Sequence, residues 1–237
     1  LELLVVADGH DQDVADFVSR LRDPRARYFA CQFGGRPAVP RNFGIRQAQG
    51  EFIAFCDDDD LWHESKLRKQ ITLMIEEQLD FTFTACRNID QNGNPVGDSL
   101  LSDFGRVNKS QFLLSLGAMI TNSSIVVARP LLNKSGPFDE AGSLRAVEDY
   151  EICSRFLMHS DAVGIREPLV GYRVHVGSIQ PRTISDWMRS QAHIQSKILA
   201  NGSASKLLWL GRYLRVVYWA ARVGLGRLAH KETARPL

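Results

Sequence analysis

Gln49-Gly50-Glu51-Phe52-Ile53-Ala54-Phe55-Cys56-Asp57-Asp58-Asp59-Asp60-Leu61-Trp62 decides the fold class. Glu51 to Cys56 is an apolar run released by Gly50, the pattern of a central buried strand, and it runs directly into four consecutive carboxylates. Four adjacent like charges repel one another unless a cation or solvent compensates them. A solvated acidic turn capping the next helix would use one or two acids rather than four. Oxygen ligands without a His/Cys cluster suit Mg2+ or Mn2+, and Mg2+ is commonly held by one or two carboxylates together with substrate phosphates.

Upstream of this stretch, Leu1 to Val6 is apolar apart from Glu2 and ends at Ala7-Asp8-Gly9, a strand running into a turn. Asp11 to Leu21 has helical spacing at Val14, Phe17, Val18 and Leu21. Arg27 to Cys31 is a short strand, Gly34 to Pro40 a loop, and Arg41 to Gln49 a helix stopped by Gly50. Downstream, Glu64 to Leu79 repeats apolar residues at Leu67, Ile71, Met74 and Ile75, which makes these its core face. Asp80 to Cys86 and Ser123 to Ala128 are strands, Asn88 to Gly93 is a turn, and Pro130 to Ser135 is a short helix closed by Gly136. Glu148 to Met158 is a helix with Glu148 and Asp149 in its first turn. Ala162 to Val176 is strand-like with a break at Pro168. Strands alternating with helices predict an α/β sheet with parallel strands, Leu3 to Val6 and Phe52 to Phe55 in one sheet, and ligands beyond the carboxyl ends of the strands.

Of the 237 residues, 44% are hydrophobic and 24% charged, an ordinary soluble composition that excludes wholesale disorder, collagen-like repeats and coiled coil. A formal net charge of +2 argues against nucleic acid as a partner for the whole chain. The charge is uneven, because from Lys206 onward seven basic residues face one acid, leaving the first 205 residues at net −4. Cys31, Cys56, Cys86 and Cys153 lack CxxC spacing and read as buried free thiols in a reducing compartment. Neither a signal peptide nor an uninterrupted apolar span is recognisable, so a cytoplasmic location is expected.

Taken in order, Val5-Val6-Ala7-Asp8-Gly9, Arg41-Asn42-Phe43-Gly44-Ile45, the quoted stretch through Trp62, Gly136-Pro137-Phe138-Asp139-Glu140, Glu148-Asp149-Tyr150 and Tyr172-Arg173-Val174-His175 resemble family 2 glycosyltransferases of the GT-A fold. The resemblance implies a GT-A domain over residues 1–180, followed by a helical extension over 181–237. It implies metal-dependent, inverting transfer of a sugar from a nucleotide diphosphate donor, usually a UDP-sugar, to an acceptor hydroxyl on a glycan or lipid-linked carrier. It makes Asp59 the metal ligand, with Asp57 or Asp58 reaching the ribose or the ion, and the register within the quartet open by one. Asp8 matches the acid that contacts the nucleobase, Arg41 the lining of the nucleotide pocket, Asp149 the general base beside Glu148, and His175 a metal or diphosphate contact. His10 and Ala7 stand where the family often has Ser and Asp. Family members usually carry one further strand and helix ahead of the point where this sequence opens, so it reads as N-terminally incomplete. That leaves a non-catalytic nucleotide-sugar-binding module, or a membrane-associated scaffold, as the competing functions.

The helical extension adds one more expectation. Leu207, Leu210, Leu214, Val217, Ala221, Leu225 and Leu228 recur at three and four residues, with Arg212, Arg215 and Arg222 on another face. Residues 206–229 thus form a basic amphipathic segment suited to lie on an anionic membrane surface, with packing on the catalytic body as its other use.

Overall fold

The computed structural model describes residues 1–97, 105–108, 110, 120–141, 144, 147–174, 190, 192–194, 196–197, 211 and 214. Strand β1 (Leu3–Asp8), helix α1 (Gln12–Arg20), β2 (Ala26–Cys31) and α2 (Ala38–Gln47) come first. They are followed by β3 (Phe52–Ala54), β4 (Leu61–Trp62), α3 (Lys66–Glu76) and β5 (Phe81–Ile89). Then come β6 (Arg106–Val107), a 3-10 turn at Asn122–Ser124, β7 (Val126–Ala128), α4 (Arg129–Ser135), α5 (Glu148–Phe156) and β8 (Ala162–Arg173).

The predicted alternation of strand and helix is present, but two features of the sheet differ from expectation. First, β1 pairs in parallel with β2 as a two-stranded sheet, and β3 lies in a separate sheet of order β3-β7-β5-β8-β4, with β6 paired to β8. Side-chain anchors rather than a ladder join the two: Glu2 Oε1 accepts the N–H groups of Gln49 and Gly50, and Arg27 donates to Glu2 Oε2 and the Gln47 carbonyl. Second, β3 is an edge strand among the described residues, and the larger sheet is mixed, since β7 runs antiparallel to both β3 and β5 while β5 and β8 are parallel. The β5–β8 register shifts opposite Pro168, which has no N–H to give the ladder.

Strand alternation divides the core. Ile53, Phe55 and Val127 face one cluster with Phe81, Phe83, Ile152 and Phe156, whereas Phe52, Ala54, Val126 and Ala128 face Met74 and Leu79. The helix α3 is rotated from the predicted face. Lys66, Gln70 and Met74 are the buried residues, Leu67 and Ile71 pack at the margin, and Ile75 is 62% exposed. All four cysteines are free; Cys86 and Cys153 are buried as expected, while Cys31, the last residue of β2, and Cys56, in the loop beyond β3, are exposed. Among the described residues no helix is long and apolar enough to cross a membrane.

Candidate active site

The site grows from the point where β3 ends. Beyond Phe55 the chain turns through Asp57 to Asp60, closed by the Asp60 N–H on the Asp57 carbonyl at 3.2 Å, and re-enters the sheet as β4. Asp57 is the best-connected acid. Its N–H donates to Ser123 Oγ at 2.9 Å, and its Oδ1 accepts from Asn122 Nδ2 at 2.8 Å and Arg41 Nη2 at 2.6 Å. Asp58 is exposed and Asp59 half-buried. Arg173 reaches from the end of β8 to donate to the Asp59 and Asp90 carbonyls, both at 2.6 Å, while its N–H donates to Asp60 Oδ1 at 2.9 Å.

Arg41 connects this loop to the second acidic cluster. Its other guanidinium nitrogen donates to Glu148 Oε1 at 2.7 Å, so one half-buried side chain of α2 joins the quartet to the first turn of α5. Its guanidinium carbon stands 5.5 Å from the centre of the Phe138 ring, which meets Phe55 edge-on at 5.2 Å. Next to the pair, Asp149 Oδ1 accepts the Tyr150 N–H at 2.7 Å. Burial and then the Glu148 carboxylate push the Asp149 carboxyl well above its ordinary range, and Arg41 pulls it back in part. Burial raises Asp60 to about 6 and Cys56 to about 12. Glu148, Asp149 and Glu151 also complement the dipole of α5, but the ion pair to Arg41 gives Glu148 a tertiary partner that a simple helix start would not need.

Asp8 lies at the end of β1 and is not joined directly to this group. Its carboxylate accepts the N–H groups of Phe33 and Gly35, which lower its pKa, and so holds a loop in which Gly34 and Gly35 sit at φ 74° and 68°. From the same loop Arg36 donates to the Glu140 carbonyl at 3.0 Å, and Asn42 donates to Glu140 Oε1 at 2.9 Å. The Asp8 loop therefore meets the main cluster through residues 138–140. His175 lies outside the described residues.

A divalent cation fits this oxygen-rich set. Asp60 Oδ2, Asn122 Oδ1 and Glu148 Oε2 are buried acceptors without a hydrogen-bond partner, a deficit that cations or hydroxyl donors relieve. Among the described residues no three His, Cys, Asp or Glu side chains converge as a ready-made metal centre. The arrangement therefore suits an ion held by one or two carboxylates and completed by phosphate oxygens.

Asn42 and Arg173 stand in the family-like motifs without an assigned role, and Asn122 and Ser123 lie outside those motifs. The signal for the last two was present: Thr121-Asn122-Ser123-Ser124 is a run of small polar residues ahead of an apolar strand, and all but Thr121 are buried.

An α/β sheet with a carboxylate turn at a strand end, bridged by an arginine to a second acidic helix start, places the molecule among α/β proteins whose candidate active site lies beyond the strand ends. Residues 1–134 match the model of Glycosyl transferase family 2, more than half of the chain, and the protein belongs to that family. An uncharacterized glycosyltransferase of Rickettsia felis is 36% identical over 104 residues, 44% of this chain and 17% of that protein. The chain thus spans only a small part of that relative. Escherichia coli WfaP, named a UDP-Glc:alpha-D-GlcNAc-diphosphoundecaprenol beta-1,3-glucosyltransferase, is 25% identical over 199 residues, 83% of this chain and 74% of its own length. The crystal structure of S. aureus TarS 1-349 in complex with UDP-GlcNAc superposes with a TM-score of 0.66 at 20% identity, covering 84% of this chain and 57% of TarS. The fold is accordingly the expected GT-A glycosyltransferase fold, despite the split between β1 and β3.

Proposed function

We propose that this chain carries out metal-dependent, inverting transfer of a sugar from a UDP-sugar to an acceptor hydroxyl in surface-glycan synthesis. The observation that carries the proposal is the Arg41 bridge, because it brings the donor-side carboxylate Asp57 and the helix start bearing Asp149 into one site. WfaP, whose name states a UDP-sugar donor and a lipid diphosphate acceptor, agrees with that substrate class. Asp149 takes the proton from the acceptor hydroxyl as its oxygen bonds to the anomeric carbon and the bond to the diphosphate breaks, a single displacement that inverts the centre. Asp59, with Asp57, would hold Mg2+ or Mn2+, which neutralises charge on the leaving diphosphate. Arg173 fixes the backbone that presents Asp59, and Arg41 with Asn122 fixes Asp57.

The test is a pair of variants in the full chain. Asp59→Asn is expected to weaken Mn2+-dependent UDP binding, whereas Asp149→Asn retains it and loses transfer by about 10^2- to 10^4-fold. Equal loss of donor affinity in both variants overturns the assignment of roles. Binding of UDP-sugar by the unmodified chain without any turnover would instead support a binding module. We further infer that the chain works at the cytoplasmic membrane face, a reading supported by the basic amphipathic pattern of residues 206–229, which would meet anionic lipid. Flotation with anionic but not neutral vesicles, lost in a chain ended at Ser205, is the result expected; equal flotation of both chains contradicts it.

A further inference from the structure

The most unusual side chain outside the reacting groups is Lys66. It is 0% exposed, and its Nζ has no hydrogen-bond partner. One turn later Gln70 is also fully buried, and its Oε1 is likewise unpartnered. Helix α3 thus turns two long polar residues toward the sheet although Leu67, Ile71 and Ile75 were available to fill that face. Burying an unpaired ammonium costs free energy that packing alone would not incur. Both buried side chains lead to the turn that positions Asp57. Gln70 Nε2 donates to the Ser124 carbonyl at 3.0 Å. Lys66 Nζ lies 4.1 Å from the centre of the Trp62 ring, on a face whose quadrupole attracts a cation. The Trp62 indole N–H donates to the Ser123 carbonyl at 2.9 Å, and the Ser123 hydroxyl accepts the Asp57 N–H at 2.9 Å.

We propose that Lys66 is a positioning residue for the carboxylate turn, seating the Trp62 indole so that Trp62 and Ser123 hold Asp57 at its backbone. The consequence for donor binding rests on the nucleotide-sugar reading above; the ordering of the turn does not. Lys66 touches no reacting group, and it acts through one aromatic ring and one serine.

Lys66→Met, Trp62→Phe and the double variant test this in the full chain, with two measurements made at about pH 6, where Lys66 carries its charge. Amide hydrogen exchange at Asp57 and Asp60 reads the turn without any ligand, and calorimetric titration with UDP and Mn2+ reads the site. Lys66→Met is expected to keep or raise the thermal midpoint, yet to speed exchange at both amides and weaken UDP binding by about tenfold each. Trp62→Phe keeps a ring but loses the indole N–H, so it should behave similarly, and the double variant should be no worse than Trp62→Phe alone. Wild-type exchange in Lys66→Met, or additive losses in the double variant, overturns the proposal. Should Lys66→Met not fold, Lys66→Arg keeps a cation over the ring. Slow exchange in Lys66→Arg with fast exchange in Trp62→Phe then supports the proposal, and wild-type exchange in Trp62→Phe overturns it. An unmodified chain that binds no UDP overturns the nucleotide-sugar reading, while the exchange data still decide the ordering of the turn.

Discussion

Asp149 and Lys66 are both buried titratable groups whose pKa values move toward neutrality from opposite sides. Burial, then Glu148, push Asp149 up to about 7, and a base works only when deprotonated. Transfer is therefore expected to rise with pH through about 7. Glu148→Gln removes the like charge and leaves more of Arg41 to act on Asp149, so the acid limb of the pH profile should move to lower pH; movement upward would contradict the geometry. For Lys66, burial lowers the pKa from 10.5 to about 7. Between those values the unfolded chain holds a proton that the native chain has released, so stability increases with pH by up to about 1.4 kcal/mol per unit. Cys86 and Cys56, raised to about 11 and about 12, oppose this only above the ordinary thiol value of 9.0, and Asp60, raised to about 6, has finished titrating below it. Urea unfolding between about pH 7.5 and about pH 8.5 should show the wild type gaining stability relative to Lys66→Met. Parallel curves for the two chains would mean that Lys66 does not titrate in this range.

At the scale of elements, what was legible followed periodicity. Val14, Phe17, Val18 and Leu21 announce α1, although Phe17 and Leu21 stay exposed, the run at Phe52 to Phe55 announces β3, and the acids at Glu148 and Asp149 mark the start of α5. What was not legible depended on tertiary contacts. Helix α3 had an apolar stripe, yet the hydrogen bonds of Gln70 and the ring beneath Lys66 rotated it toward polar burial. The separation of β1 from β3 likewise follows from which partner each edge finds, information that no local pattern carries. Arg41 stands in a recognisable motif, but its two ion pairs to Asp57 and Glu148 were not legible, since 107 positions separate it from Glu148. Its neighbour Asn42 performs comparable joining work inside the fold. Fully buried, it donates to the Phe138 carbonyl and accepts the Phe138 N–H, both at 2.8 Å, and so clamps α2 to the segment after α4. Asn42→Ala strands both backbone groups and should cost about 2–6 kcal/mol in urea unfolding, at about 1–3 kcal/mol for each unsatisfied group. A loss below about 1 kcal/mol would show that water replaces the amide.

Across the whole molecule, residues 135–140 are gripped from four directions. Arg155 on α5 donates to the Ser135, Gly136 and Pro137 carbonyls, with Gly136 at φ 80° turning the chain out of α4. Asn42 holds Phe138, Arg36 holds the Glu140 carbonyl, and His193 and Lys197 both pair with Asp139. The last contact matters for where the catalytic unit stops. A boundary at residue 180 follows the end of the family-like motifs, but Ile194 is fully buried in the main core cluster with Phe81 and Phe156, and Ser190 is buried nearby. Ser190 and Ile194 therefore supply core, and His193 and Lys197 supply charge. A chain ended at residue 180 opens the space filled by Ile194, and by the cost of large core truncations it should lose at least about 2–4 kcal/mol. Lys197→Met should cost far less, because that side chain is 36% exposed and its pairing is screened by solvent. Urea midpoints of the three chains check the ranking. If the shortened chain unfolds at the midpoint of the full one, Ile194, His193 and Lys197 contribute nothing to the fold, and residues 135–140 are held by Arg155, Asn42 and Arg36 alone.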